Sequence, residues 1–405
     1  MSDSMISVDE ARARILASLR PTPEEIVPLP DAWGRVAATD IRARLTQPPH
    51  DVSAMDGYAL RAADGFAGAK LRVIGSAPAG HPFDGVLGAG ETVRLFTGSV
   101  VPAGANTILL QEDTTRDGDI ATVNEAVAAG RHIRRAGQDF AQGDVLITAG
   151  RKLTARDIGL AASGNHPWIS VHRRPRIAIL ATGDEIALPG EPIPKGGIVS
   201  SNSHALAALV RACGGAPVVL PIAADTTEAI GAVADAISGM DTLVTTGGAS
   251  VGDHDLVIEG LSQRGLMVDF WKIAMRPGRP LMHGALGAVP VLGLPGNPVS
   301  ALVCAILFLL PALARLNGRP AGPPPTTTAA LGAALAANDW RADHLRATLA
   351  NGADGRLIAT AFGMQDSAML RRLASADALI LRAPHAAALP AGAEVEIIRL
   401  DTLGI

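Results

Sequence analysis

Between Arg176 and Ala314 short apolar runs alternate with helix-patterned segments, and a glycine-rich turn follows three of the apolar runs. Ile177–Leu180, Val218–Ile222, Thr242–Thr245 and Val289–Gly293 read as strands. Ser201–Ala212, Thr226–Ile237, Asp253–Gln263 and the apolar stretch from Pro298 read as helices. The helix at 201–212 opens on Ser and Asn and closes on Gly214-Gly215, the residues that cap such an element. Strands separated by helices need crossover connections, so this pattern predicts a mostly parallel sheet covered on both faces.

That sheet is one part of a longer chain. At 405 residues the chain exceeds a single ordinary core. Residues 1–46 and 144–174 read as an N-terminal helical and linker domain, with helices at Val8–Leu19 and Thr154–Ala162. Residues 47–143 are rich in Gly, Pro and short β-type runs such as Leu71–Ile74 and Thr107–Gln111, and read as an inserted β-rich domain. Residues 175–316 form the α/β domain. Residues 317–328 carry Pro320, Pro323, Pro324 and Pro325 and have linker composition. Residues 329–405 hold short alternating runs (Leu345–Leu349, Leu357–Ala361, Ala378–Leu381, Val395–Leu400) and read as a small β-domain. The fold class expected is multidomain α/β.

Several partner classes fall away on elementary grounds. A net charge of −4 argues against nucleic acid, whose phosphates need a basic surface. The apolar run Ala301–Ala314 is shorter than the ~20 residues of a bilayer span, and Pro311 interrupts it, so a buried helix is expected and no membrane. Met1–Glu10 shows no basic stretch followed by an apolar one, so no signal peptide is visible. Cys213 and Cys304 lack metal-ligand spacing and read as thiols in a reducing cytoplasm.

The chemistry is expected at the strand ends. The turns are Thr182-Gly183-Asp184-Glu185, Thr246-Gly247-Gly248-Ala249-Ser250-Val251-Gly252 and Gly293-Leu294-Pro295-Gly296-Asn297-Pro298. Open α/β sheets bind ligands at the carboxyl ends of their strands, and glycine with a following helix start favours an anion there. The same turns also serve as plain connections. None fits the spacing of a dinucleotide or P-loop motif. Asp184, Glu185, Asp225, Asp253 and Asp255 recur beside the turns and suit either Mg²⁺ held with substrate phosphate or helix capping. Trp271 to Pro280 brings Lys272, Arg276 and Arg279 together around a Pro-Gly turn. In one extended run Lys272 and Arg276 would share a strand face and clamp an oxyanion; as surface charges they would be solvated. Ser53–Ala59 and Arg134–Asp139 read as loops with no assigned task.

Taken in order, Ser53-Ala54-Met55-Asp56-Gly57-Tyr58-Ala59, the Thr97-Gly98 and Gln111-Glu112-Asp113 segments, Arg134–Asp139, Thr182–Glu185, Ser201-Asn202, Gly247–Gly252, Trp271–Pro280 and Leu294–Ser300 resemble the MoeA-type molybdopterin molybdenumtransferase family, which includes the C-terminal domain of gephyrin. A fainter likeness continues at Gln365–Leu370. The resemblance implies a three-layer α/β/α molybdopterin-binding fold for the central domain, a barrel-like last domain, and a homodimer with its active site at the subunit interface. It implies insertion of molybdate into adenylylated molybdopterin with release of AMP, dependent on Mg²⁺.

The implied catalytic residues are Asp56, Asp139, Asp225, Asp255 and Lys272. Thr97, Arg134, Gly248, Ser250, Pro295, Gly296 and Asn297 would bind the substrate. Arg276, Arg279, Pro280, Ser300, Arg346 and Ser367 would bind molybdate, and Glu185, Asp225 and Asp255 the metal. Asp56, Thr97, Arg134 and Asp139 would come from the other subunit. A molybdopterin adenylyltransferase is a further implied partner.

The sequence departs from the family pattern where Arg276-Pro277-Gly278-Arg279 replaces Lys-Pro-Gly-Lys, and at Gln138, Asn106 and His50. Arginine keeps the charge and the oxyanion fork but does not readily lose a proton. Three other readings stand beside this one: the adenylyltransferase itself, a protein-binding scaffold, and a tungstate-specific paralogue.

Overall fold

The structure is a computed structural model that describes residues 5–247 and 255–403. Its centre is a six-stranded sheet: β1 Arg176–Ala181, β2 Ala216–Val219, β3 Thr242–Thr246, β4 Leu266–Trp271, β5 Met282–Leu286 and β6 Val289–Leu294. They lie side by side as β2-β1-β3-β6-β5-β4. β1, β2, β3 and β6 are parallel, whereas β5 runs antiparallel to both β6 and β4. Two reversals restore direction, so β4 also ends at the carboxyl edge of the parallel set. β4 and β5 are strands that the sequence reading does not contain; Asp269 and His283-Gly284 interrupt their apolar runs.

Residue alternation along β1 divides the core. Ile177 and Ile179 join Leu206, Val210, Phe308 and Leu313 on one face, while Ala178 and Leu180 join Ile230, Val257 and Leu261 on the other. Full burial of an Ile or Leu is worth ~1.5–3 kcal/mol, so both faces hold the sheet firmly.

The helical stretch Pro298–Leu316 runs longer than its apolar run and is apolar enough to cross a membrane by length and composition, yet 78% of its most apolar window is buried in this core. It widens to a π-turn at Ala305–Leu309 just before Pro311. The proline lacks the N–H that an α-turn would direct at Leu307, and the wider turn accommodates that loss.

Helix Val8–Ser18, capped by the Ser7 hydroxyl on the Glu10 N–H, lays Ala11 and Ile15 in the same central core, with Leu19 following. Their four-residue spacing makes one stripe. Residues 24–46 and 144–174 have a core of their own around Ala37, Ile41, Ile147, Leu153, Ile169 and Val171.

Two further β-structures precede and follow the central domain in the chain. Gly57–Leu60, Lys70–Ala77, Glu91–Leu95, Thr107–Leu110, Thr114–Asp117 and Ile120–Val123 form one six-stranded sheet. Near the C-terminus, Thr327–Leu331, Ala342–Asn351, Leu357–Ala361, Ala378–Arg382 and Glu394–Arg399 close into a five-strand barrel, because each strand pairs with two others. A short strand, Met275–Arg276, leaves the central domain and pairs with Ala342–Asp343 of the barrel.

Candidate functional site

The carboxyl ends of β1, β3 and β6 are adjacent, and their turns touch. Asn202, first residue of the helix Asn202–Ala212, donates its side-chain amide to the Thr246 hydroxyl (2.8 Å) and the Gly296 carbonyl (2.7 Å). The Thr246 hydroxyl in turn donates to the Pro295 carbonyl at 3.3 Å. Gly247 has φ +96° and lies so near β1 that a Cβ there would stand 2.6 Å from the Thr182 carbonyl oxygen. Only glycine permits that approach. Gly248 and Ser250 lie outside the described residues.

The acids gather on the β1 side. Gly183 N–H donates to the Ala223 carbonyl, and Asp225 N–H donates to Asp184 Oδ1 at 3.1 Å. The Asp225 carboxyl is raised above the usual carboxylate range, by desolvation first, with the charges of Asp184 and Glu185 adding to it. It does not cap the following helix; the Thr226 hydroxyl does, accepting from Ala229 N–H. Asp255 does act as a cap, with Oδ1 accepting from Val257 and Ile258 N–H at 3.0 Å each, and burial raises its carboxyl despite those bonds.

Among the described residues no three His, Cys, Asp or Glu side chains converge as a complete metal site. Mg²⁺ does not require that: one or two carboxylates plus substrate phosphates suffice. Like-charged carboxylates crowded beside Asp225, all hard oxygen donors, are chemically suited to such an ion.

The cations differ from one another. Lys272 directly follows β4 with φ +76°, and its ammonium lies 3.9 Å from the centroid of the Trp271 ring. The left-handed turn there ends the strand, so Lys272 and Arg276 do not share one strand face. The single extended run expected from the sequence is broken at Lys272 by its positive φ, although its N–H still bonds the Leu281 carbonyl in register with the preceding pair. Arg276 points to the barrel: its Nε donates to Asp343 Oδ1 at 2.8 Å, its Nη2 pairs with Oδ2, and Asp339 lies 3.6 Å away. Arg279 is exposed and Pro280 half-buried.

The barrel brings a second lining to the same edge. The Asn297 amide donates to the Ser367 hydroxyl at 2.9 Å, and Val299 N–H donates to the Ser367 carbonyl at 3.1 Å. Ser300 is buried one residue further along. Arg346 is 1% exposed and donates to Gln365 Oε1 (3.0 Å) and the Asp366 carbonyl (2.7 Å), fixing the segment that carries Ser367.

A second cluster sits in the inserted region. Asp56 accepts from both the N–H and the hydroxyl of Thr97, each at 2.8 Å, which holds its carboxyl below the usual range. Arg134 is exposed on a two-residue strand paired with Val52-Ser53, and exposed Asp139 is anchored through its N–H to the Gln47 carbonyl. Among the described residues no hydrogen bond joins residues 47–143 to residues 176–403.

Comparison with known proteins covers most of the chain. Residues 6–164 match the MoeA N-terminal region (domain I and II), residues 178–315 the probable molybdopterin binding domain, and residues 328–400 the MoeA C-terminal region (domain IV). Molybdopterin molybdenumtransferase 2 of Mycobacterium tuberculosis is 35% identical over 405 residues, covering 97% of this chain and 99% of the relative. The chain belongs to the molybdopterin molybdenumtransferase family. A molybdopterin molybdenumtransferase of Nostoc sp. is 37% identical over 303 residues, 73% of this chain and 70% of the relative. The crystal structure of a molybdopterin biosynthesis MoeA protein from Pyrococcus horikoshii superposes with a TM-score of 0.86 at 29% identity, covering 98% of this chain and 99% of that one.

Within this molybdopterin molybdenumtransferase architecture, sequence reasoning missed Asn202 and Thr246 as site residues. Asn202 reads as a helix cap, and only the fold shows its amide tying two turns together. The signal available was its place at a helix start that faces the carboxyl edge of a parallel sheet.

Proposed function

We propose that this chain inserts molybdate into adenylylated molybdopterin and releases AMP, the last step of molybdenum cofactor synthesis. The observation that carries the reading is that the 182–185, 246–247 and 294–297 turns meet at the carboxyl edge of one sheet, with the Asp184–Glu185–Asp225 acids beside β1 and Lys272 at the same edge after β4, in a chain of this family. The central domain is taken as a three-layer α/β/α molybdopterin-binding fold. Gly248, Ser250 and the turn at Pro295–Asn297 bind the pterin nucleotide. Lys272 stabilises charge on the phosphoanhydride, since two anions brought together in a dry cleft repel unless cations are already in place. Glu185, Asp225 and Asp255 would hold Mg²⁺, which would supply Lewis-acid stabilisation of the leaving phosphate. Arg279, Pro280, Ser300, Arg346 and Ser367 surround the molybdate.

Half-buried Asp56 and exposed Thr97, Arg134 and Asp139 face the central site of a second copy, completing an active site in a homodimer. Direct transfer of substrate from a molybdopterin adenylyltransferase fits the same scheme. Both cysteines are free thiols, as suits a cytoplasmic enzyme.

The test is substitution. Asp225→Asn and Lys272→Gln each lower AMP release at least 100-fold while circular dichroism and the unfolding midpoint stay near those of the parent chain. Parent-like turnover in both variants would overturn the roles given to these residues.

A further inference from the structure

The resemblance counts Arg276 among the oxyanion ligands. The geometry points to a different task. The backbone at this position is pinned from two sides. Ala274 N–H donates to the Ile6 carbonyl at 2.9 Å, and Ala342 N–H donates to the Ala274 carbonyl at 2.9 Å. Met275 and Arg276 then pair in parallel register with Ala342 and Asp343. The Arg276 side chain follows the same direction. Its guanidinium makes a two-point pair with Asp343 and stands 3.6 Å from Asp339.

Asp343 is 4% exposed. A carboxylate so far from water needs a cation, and among the described residues Arg276 is the one paired with it. The planar fork of arginine meets both carboxylate oxygens, whereas an ammonium is a single point charge. Arginine at 276 is thus matched to Asp343 in a way that lysine is not. Asp339 is itself held by Arg341 at 2.5 Å, so the acids that face Arg276 belong to an ordered barrel network.

We propose that Arg276 is a positioning residue that latches the C-terminal barrel onto the central sheet, and that it does not bind the oxyanion. Through the latch it sets where Ser367 and Arg346 stand against the turn at Asn297. The oxyanion part of this inference rests on the proposed function; the latch does not.

The test uses the full-length chain with Arg276→Gln, Asp343→Asn, the double variant and Arg276→Lys. Titration calorimetry with inorganic molybdate reads the pocket, and binding of the pterin nucleotide reads the central turns. Under the latch, Arg276→Gln and Asp343→Asn weaken molybdate binding by a similar factor, about 3–10-fold. The double variant is no worse than either single, pterin nucleotide affinity is unchanged, and Arg276→Lys falls between. If Arg276 binds the oxyanion directly, Arg276→Gln weakens molybdate binding while Asp343→Asn leaves it unchanged or tightens it, and the latch is overturned. Thermal unfolding of the same four chains reads the latch independently of any ligand. Coupled losses support the latch and additive losses overturn it. A parent chain that binds no molybdate under any condition counts against the proposed function, and the unfolding cycle still decides the latch.

Discussion

Asn297 heads the long core helix, yet its side-chain amide donates to the Ser367 hydroxyl of the last domain instead of capping the helix. The Ser367 carbonyl takes the Val299 N–H in its place, so a segment 70 residues away completes this helix start. Ser367→Ala removes the acceptor of one hydrogen bond, worth ~0.5–1.5 kcal/mol. The expected result is a small fall in the unfolding midpoint and a larger relative fall in molybdate affinity. Calorimetry beside thermal unfolding measures both.

Asp56 predicts the acid limb of the pH–rate profile. The two Thr97 donors favour the charged carboxylate, the backbone N–H more than the hydroxyl. Lowering the pH through this depressed pKa protonates Asp56, and activity is lost on that side. Thr97→Val removes only the hydroxyl, so the acid limb moves to higher pH by part of the way toward an ordinary aspartate. A limb that does not move would separate Asp56 from the reaction.

His344 predicts a loss of stability in acid. It is buried, and burial, with Arg12 adding, pushes its imidazole down to about 4. The folded chain thus binds this proton less readily than the unfolded chain, whose histidine titrates near 6.5. The stability that depends on neutral His344 is fully present above about pH 6.5 and is lost as the pH falls toward about 4. The loss is on the order of 1–3 kcal/mol. Urea unfolding between pH 7 and 4 measures it, and His344→Leu flattens that slope.

Gly278 predicts a packing limit beneath the Arg276 loop. Its φ is +111°, and a Cβ there would lie 2.4 Å from the Cys304 sulfur. Gly278→Ala adds backbone strain and overpacking and costs about 2–4 kcal/mol. Adding Cys304→Ala relieves the clash but not the backbone strain, so it recovers part of the loss in chemical denaturation.

The parallel core was legible in the sequence because its strands are mostly short apolar or β-branched runs, three of them followed by a glycine-rich turn. Ile177–Leu180 and Val289–Gly293 could be read as buried strands without knowing their neighbours. β4 and β5 were not, since Asp269 and His283 occupy positions that a buried strand rarely gives to ionisable groups. Here Asp269 and His283 lie 3.3 Å apart and satisfy one another. The site was legible residue by residue, through motifs, but not in its contacts. Nothing in the spacing of Arg276 and Asp343 shows that they pair, because 67 residues of chain and a domain boundary lie between them. The left-handed backbone of Lys272 was equally hidden, as a lysine carries no signal for positive φ.

The central claim is molybdate insertion with release of AMP, and one incubation tests it most directly. Purified chain is mixed with adenylylated molybdopterin and Mg²⁺, with and without molybdate, and AMP is followed by chromatography. The account predicts AMP release that depends on molybdate and a pterin product that carries molybdenum. AMP release at the same rate without molybdate, or bound pterin nucleotide that is never cleaved when molybdate is present, would contradict it.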